Sequence, residues 1–521
     1  MKFFPPAVSL LCFFAVSGLA QQPAAQPRGR AEHVVVVVWD GMRPDFVTEE
    51  NTPALFKMAH DGVFFKNNHS VYITSTEVNG TALATGVYPG RSHIVANKEY
   101  RPAINPLSAI PTEGRESIRK GDALGGWLGV PTLEELLHGA GRRTVIAGTK
   151  PVTLLHDRSD ERTTDAAKNS TVIFSGKSIP ESAADDAAQV LGAKFPDAIK
   201  FPNTAQDDWT ARALTEFLWK DGVPQFSLLW MSDPDFSQHN TAPGSPVALA
   251  ALKSCDANLA RMLAALEAKG VRDKTDVFLV SDHGFSTAEK SVDVCAALTR
   301  AGFAAARSFK SPPKPGEIMV VGVGGSVLFY IVGHERATAQ RLVDFLQRSD
   351  FAAAIFTREK MAGTFTLAEA RLDSPDAPDV LISMQWSANA NRYGVAGSLT
   401  MDGMGVTGMG THSTLGKFDV HNTLIADGPD FMRGAADEMP TGNVDLAPTI
   451  LWILGVPGRE SMDGRVLAEA MPFFENQKIQ PSRELTLKSE RDDSGIRWRQ
   501  YLKITRFGGR NYFDEAGGGK P

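Results

Sequence analysis

The sequence predicts an α/β fold: a mostly parallel central sheet with helices on both faces and inserted cap segments. Three observations predict it. Short apolar runs at 34–39, 226–231 and 277–281 read as strands buried on both faces. Helical patterns at 131–138 and 245–269 lie between such runs, so strands and helices alternate along the chain. Each run also leads into metal-type ligands: Asp40 after the first, Asp235 and His239 after the second, Asp282 and His283 after the third. Open α/β sheets gather their ligands beyond the carboxyl ends of the strands. Three carboxylates and two imidazoles at one sheet edge suit a metal site with catalytic chemistry, because unpaired carboxylates are expensive to bury in a structural core.

Residues 1–20 read as a secretory signal. Lys2 precedes an apolar stretch at 7–16, and Gly18-Leu19-Ala20 puts small residues at the −3 and −1 positions of a cleavage site after Ala20. The stretch is shorter than a spanning helix needs. Residues 21–31, rich in Gln, Ala and Pro, read as a flexible leader. No later stretch is long and apolar enough to span a bilayer, so the expectation is an exported protein, periplasmic or extracellular.

A catalytic domain is expected over 32–470. Its sheet starts near His33 and continues through strand-like runs at 62–65, 143–147, 225–231 and 277–281. In the 245–269 helix Leu249, Leu252, Leu259, Met262, Leu263 and Leu266 form a core-facing stripe. Two stretches interrupt the alternation, 98–207 and 287–408, the latter with a strand of its own at 324–332. Both are expected to be insertions near the mouth of the site, where loops set specificity. A compact apolar helix returns at 445–457. In the C-terminal extension, 471–521, interleaved aromatic and basic residues at 495–513 suggest an antiparallel hairpin. The net charge of −6 lies in no long runs, unlike the basic stripe of a nucleic-acid scaffold. Beyond the signal only Cys255 and Cys295 remain, too few for a disulfide framework, and their pairing stays open.

Asp235 and His239 stand four apart and share one face if that segment is helical. Asp282 and His283 are neighbours, and at the turn after a strand two neighbours can address two different metals. His412, in Gly410-Thr411-His412, is a sixth candidate. Three carboxylates and three imidazoles suit zinc better than manganese, iron or cobalt, and are too many for one tetrahedral ion and about right for two. Ser75-Thr76 puts hydroxyls at a helix start, where backbone N–H groups can hold an anion. The same pattern also serves as an ordinary N-cap.

The order of these motifs resembles the alkaline phosphatase superfamily, and most of all its type I phosphodiesterase/nucleotide pyrophosphatase family. That family has a Thr nucleophile and an Asn shortly after a T-G-x-Y-P segment. This chain carries Thr85-Gly86-Val87-Tyr88-Pro89, with Asn97 eight residues beyond the proline. Aligning on that segment puts the nucleophile at Thr76. The family's D-x-x-x-H, D-H-G and G-T-H elements match Asp235/His239, Asp282/His283 and Gly410-Thr411-His412. The resemblance runs from Val34 to about Pro457. It implies an alkaline phosphatase-like fold and two zinc ions, one held by Asp40, Thr76, Asp282 and His283, the other by Asp235, His239 and His412. It further implies a phosphothreonine intermediate on Thr76, with the Asn97 amide and the Thr76 N–H stabilising a non-bridging oxygen.

The chain departs from the family beside the nucleophile, where Glu77-Val78-Asn79-Gly80 replaces Phe-Pro-Asn-His. Ser92-His93-Ile94 replaces S-H-G-I, and the short G-Y or G-F continuation after His412 is missing. The expected substrate is a small-molecule phosphate ester, possible in nucleotide form, cleaved at a phosphodiester or pyrophosphate bond. Relatives that prefer monoesters bring extra positive charge, in one group a Lys-x-Arg pair; Lys150-Pro151-Val152 offers only the lysine, and Arg91 and Lys98 are further basic candidates. A phosphomonoesterase or phosphonate hydrolase on the same scaffold is the alternative, and a non-catalytic metal-binding relative the third. The Cys or Ser in a C/S-x-P-x-R context of type I sulfatases is absent around Thr76.

Overall fold

The structure, a computed structural model, describes Met1 and residues 29–403, 405–474 and 480–520. Residues 2–20 of the expected signal and 21–28 of the expected leader lie outside the described residues. Nine strands form the central sheet: β1 (His33–Trp39), β2 (Val63–His69), β3 (Thr144–Gly148), β4 (Thr171–Phe174), β5 (Lys177–Ile179), β6 (Phe226–Met231), β7 (Thr275–Val280), β8 (Leu424–Asp427) and β9 (Ala435–Gly442). Their order is β9-β2-β8-β7-β1-β6-β3-β4-β5. The run β7-β1-β6-β3-β4 is parallel throughout. β8 enters antiparallel between β7 and β2, and β5 closes the far edge antiparallel to β4.

Alternation along β1 explains its unbroken apolar sequence. Val34, Val36 and Val38 face one core layer, while Val35, Val37 and Trp39 face the other. Both faces are therefore covered, as a parallel sheet requires. Helix α1 (Pro246–Ala268) lays Leu252, Cys255, Leu259, Met262 and Leu266 on the second layer, with Leu249 and Leu263 at its margin. Helix α2 (Leu446–Leu454) is buried along its whole length on the first.

One expectation is corrected and two are refined. The stretch 98–207 is not an insertion as a whole, because β4 and β5 join the run expected at 143–147, which is β3, in extending the central sheet from inside it; Pro- and Gly-rich loops around the short β4 and β5 masked those two. Within 287–408 the strand expected at 324–332 is found at Ser326–Ile331. It lies inside a separate sheet with Ile318–Gly322, Val380–Met384 and Ala352–Thr357, backed by helix Arg336–Leu346. The hairpin expected at 495–513 is a three-stranded meander of β10 (Arg483–Asp493), β11 (Ile496–Phe507) and β12 (Arg510–Gly519). Two-residue loops join these strands at Ser494-Gly495 and Gly508-Gly509, all four residues at positive φ, the geometry that matches strand twist in tight hairpins. Both remaining cysteines are free thiols: Cys255 is buried in α1 and Cys295 lies on a separate short helix.

Candidate active site

The register of the sheet sets the site. Trp39 stands level with Met231, and Val38 with Val280, so β1, β6 and β7 end together. Asp40 follows β1, and Asp282 and His283 follow β7. Helix α3 (Asp235–Asn240), shortly after β6, carries Asp235 and His239 one turn apart. Gly148 of β3 is level with Trp230, which brings Lys150 to the same edge. The six sequence candidates converge in two sets. Asp40, Asp282 and His283 are one and Asp235, His239 and His412 the other, each with its ligand atoms within 4.8 Å of one another. The adjacency of Asp282 and His283 therefore does not send them to different sets; the turn after β7 folds both side chains toward Asp40.

Each imidazole is oriented in the same way. His283 Nδ1 donates to Gly284 O at 2.9 Å, His239 Nδ1 to Gly410 O at 3.1 Å and His412 Nδ1 to Thr74 O at 2.8 Å. A carbonyl only accepts, so each ring carries its proton on Nδ1 and turns Nε2 into the site, the backing expected behind a metal-bound histidine. His283 Nε2 faces Asp282 Oδ2 at 3.3 Å and Asp40 Oδ1 at 3.7 Å. His239 and His412 Nε2 face Asp235 Oδ1 at 3.3 and 3.7 Å. Those same oxygens, Asp40 Oδ1, Asp282 Oδ2 and Asp235 Oδ1, are buried without a hydrogen-bond partner. Lone pairs opposed across such distances call for a cation between them, and a mixed N/O donor set fits a divalent ion of the zinc kind.

The electrostatics agree. Burial, then Asp282, pushes the Asp40 carboxyl well above the ordinary carboxylate range. Burial, then His283 and His239, holds His412 well below the usual imidazole range, in the neutral form a metal takes. Lys150 Nζ bridges Asp40 Oδ2 at 2.9 Å and Asp235 Oδ2 at 2.6 Å. Burial disfavours its charge, but Asp235, Asp40 and Asp282 outweigh that and hold the ammonium protonated. Burial likewise opposes the Asp235 carboxylate, and Lys150 together with His239 and His412 outweighs it and holds the carboxyl well below its usual range. Three carboxylates against one ammonium leave the site net negative before any metal binds.

Helix α4 (Thr76–Thr85), packed between these strands and α2, is buried along all ten residues. Ser75 occupies its N-cap position but makes no side-chain cap bond, so the plain capping alternative does not hold. Thr76, the first helical residue, brings Oγ1 to 3.3 Å from His283 Nε2. Asn97 Oδ1 accepts from the Glu77 N–H at 3.3 Å, which ties its amide to the start of the helix. Under the helix, a Cβ on Gly80 would meet Val152 at 2.6 Å and the Trp230 ring at 3.2 Å. The indole N–H of Trp230 donates to Asp40 Oδ2 at 2.8 Å. Glu77 is buried beside Thr76, its carboxyl pushed well up by burial and then by Glu113.

Arg91 is drawn off to Asp463 at 2.9 Å and Lys98 is exposed; neither belongs to the cluster. Sequence reasoning named Lys150 only as a basic candidate for substrate charge and left Trp230 and Asp419 out of the site. Lys150 is reachable by the strand-end rule applied to β3. Trp230 lies inside an apolar run and gives no local signal. Asp419 accepts from Ser286 Oγ at 2.6 Å and from the Thr414 N–H at 2.9 Å, tying the His412 loop to the segment beyond His283, and also gives none.

A mostly parallel α/β sheet with these two donor sets at its strand ends is an alkaline phosphatase-like fold carrying two candidate divalent-metal sites. The chain belongs to the type I phosphodiesterase/nucleotide pyrophosphatase family, whose model matches residues 34–398. It is 20% identical over 432 residues to a bis(5'-adenosyl)-triphosphatase of Mus musculus, covering 82% of this chain and 78% of that one. With ectonucleotide pyrophosphatase/phosphodiesterase family member 1 of Homo sapiens it shares 23% identity over 253 residues, 47% of this chain and only 22% of the relative's length. Among solved structures, murine ectonucleotide pyrophosphatase/phosphodiesterase 5 in complex with AMP superposes with a TM-score of 0.56 at 16% identity, covering 82% of this chain and 96% of that one.

Proposed function

We propose that the protein is an exported phosphohydrolase that cleaves phosphodiester or pyrophosphate bonds of small nucleotide-like esters, with two zinc ions and a phosphothreonine formed on Thr76. The observation that carries this reading is the position of Thr76 Oγ1, 3.3 Å from His283 Nε2 at the start of a wholly buried helix. Asp40, Asp282 and His283, with Thr76, would hold one ion, and Asp235, His239 and His412 the other. Bound there, the ions supply Lewis-acid charge that favours the Thr76 alkoxide and the departing ester oxygen. Thr76 attacks phosphorus in line and the leaving group departs on the side of His239, the most exposed of the three imidazoles. Asn97 Nδ2 donates to a non-bridging oxygen of the pentavalent transition state, and its bond to the Glu77 N–H holds it aimed before substrate arrives. Water then cleaves the phosphothreonine and restores Thr76. The relatives named for nucleotide substrates, and the neighbour solved with AMP, support a nucleotide-like ester. Among the described residues no helix is long and apolar enough to cross a membrane, which is compatible with export.

Lys150 favours a second reading, a phosphomonoesterase. Its ammonium stands between the two donor sets, where it meets the additional charge of a monoester. Hydrolysis of bis-p-nitrophenyl phosphate and p-nitrophenyl phosphate, side by side with chelator or added zinc, separates the two. Chelator-sensitive preference for the diester supports the first reading, preference for the monoester the second, and activity indifferent to chelator overturns both.

A further inference from the structure

A third group of metal-type ligands lies away from the active site, where the C-terminal meander meets the central sheet. His69 ends β2, His421 directly precedes the β8 segment and Asp514 belongs to β12. Their ligand atoms lie within 4.8 Å of one another, the same closeness the two active-site sets show. His69 also repeats the active-site orientation. Its Nδ1 donates to Thr441 O at 2.8 Å, so that nitrogen carries the proton. Its Nε2 then faces Asp514 Oδ1 at 3.0 Å. A lone pair against a carboxylate oxygen at that distance requires a cation between them, either a second proton or a metal ion.

Two features point to the metal. The His421 ring stands 4.6 Å from that of His69 and adds a third donor, which a simple ion pair does not need. The carboxylate is aimed by a β-bulge. Lys503 pairs with Glu515 and Ile504 with Phe513, so Asp514 is the extra residue, and the Thr505 hydroxyl holds it at 3.0 and 3.1 Å. Bulges re-aim side chains in this way. His69 is buried, and the Asp514 side chain keeps 21% exposure, leaving a side for an ion to enter and a fourth position for water.

We infer that His69, His421 and Asp514 form a third divalent-cation site, of the zinc class, that fastens the C-terminal meander to the catalytic sheet. The test is anomalous diffraction at the zinc edge from crystals of the full mature chain grown with Zn2+, together with zinc content after gel filtration. The expected result is an anomalous peak among the three side chains and a third equivalent of zinc per chain. Asp514→Ala and, independently, His421→Asn should each lose that peak and that equivalent while keeping the active-site peaks. Peaks in the active site with none at His69 would overturn the inference and leave a protonated His69 paired with Asp514. Zinc content unchanged in either variant, should only that one fold, would overturn it equally.

Discussion

Lys150→Met removes one ammonium and keeps most of the side-chain volume, so it asks what the charge does. Nζ lies 2.9 and 2.6 Å from oxygens of Asp40 and Asp235, one from each donor set. A phosphoryl group held between the sets brings its oxygens close to the same point. At about 5 Å and an effective dielectric of about 20, one additional unit of negative charge interacts with the ammonium by about 3 kcal/mol. That is roughly a hundredfold in rate if the contact is realised in the transition state. A monoester carries that additional charge and a diester does not. The assay is kcat/KM of wild type and Lys150→Met on p-nitrophenyl phosphate and on bis-p-nitrophenyl phosphate, at matched zinc occupancy. The expected outcome is a fall on the monoester roughly a hundredfold greater than on the diester. Equal losses on both would refute the reasoning: Lys150 would then only balance Asp40 and Asp235 and would not read substrate charge.

Thr76→Ala should lower turnover by at least roughly 10⁴-fold on either ester while zinc content and the thermal midpoint stay at wild-type values; wild-type turnover would remove Thr76 as nucleophile. Asn97→Ala deletes one donor to the developing charge and should reduce kcat by about 10²–10³-fold, with KM little changed, in steady-state kinetics. Away from the site, Asp437 gives a pH prediction. Burial raises its carboxyl to about 6, above the unfolded value, so its contribution to stability is present in acid and lost as pH rises through 6. After discounting for partial exposure the loss is about 1–3 kcal/mol. Asp437→Asn keeps an acceptor for the Met439 N–H, so melting curves should show it gaining on wild type from pH 4 to pH 8, and a pH-independent difference would contradict this account.

The central strands and their ligands were legible because period and position carried them. A run such as that of β1 is apolar on both faces, and the residue after it, Asp40, has no core role to explain it. Asp235 and His239 were legible as a pair because helical spacing fixes a shared face. Less of the periphery could be read. β4 and β5 are only four and three residues long, too short for a period to register. β10 faces solvent along most of its length, so its charged alternation resembles a loop, and only Ser494-Gly495 announced the turn beyond it. Lys150 stood in plain view after β3. Its importance comes from carboxylates far away in sequence, and a single chain does not display that. The grouping of Asp282 with His283 depends on how one turn folds, which adjacency alone does not decide.

Trp230 touches both halves of the site: its ring lies under Gly80 of the helix that Thr76 begins, and its N–H holds Asp40. One rigid plate thus serves as a common mount for the attacking residue and for a ligand carboxylate. A displacement of the helix is transmitted to the indole and onward to the carboxylate, so the parts drift together and their spacing is kept. Tolerance to change is therefore uneven around the site. Exposed loops at the rim can vary in length and composition without disturbing alignment, whereas a single methyl group added at position 80 would jam the bearing on which that alignment turns.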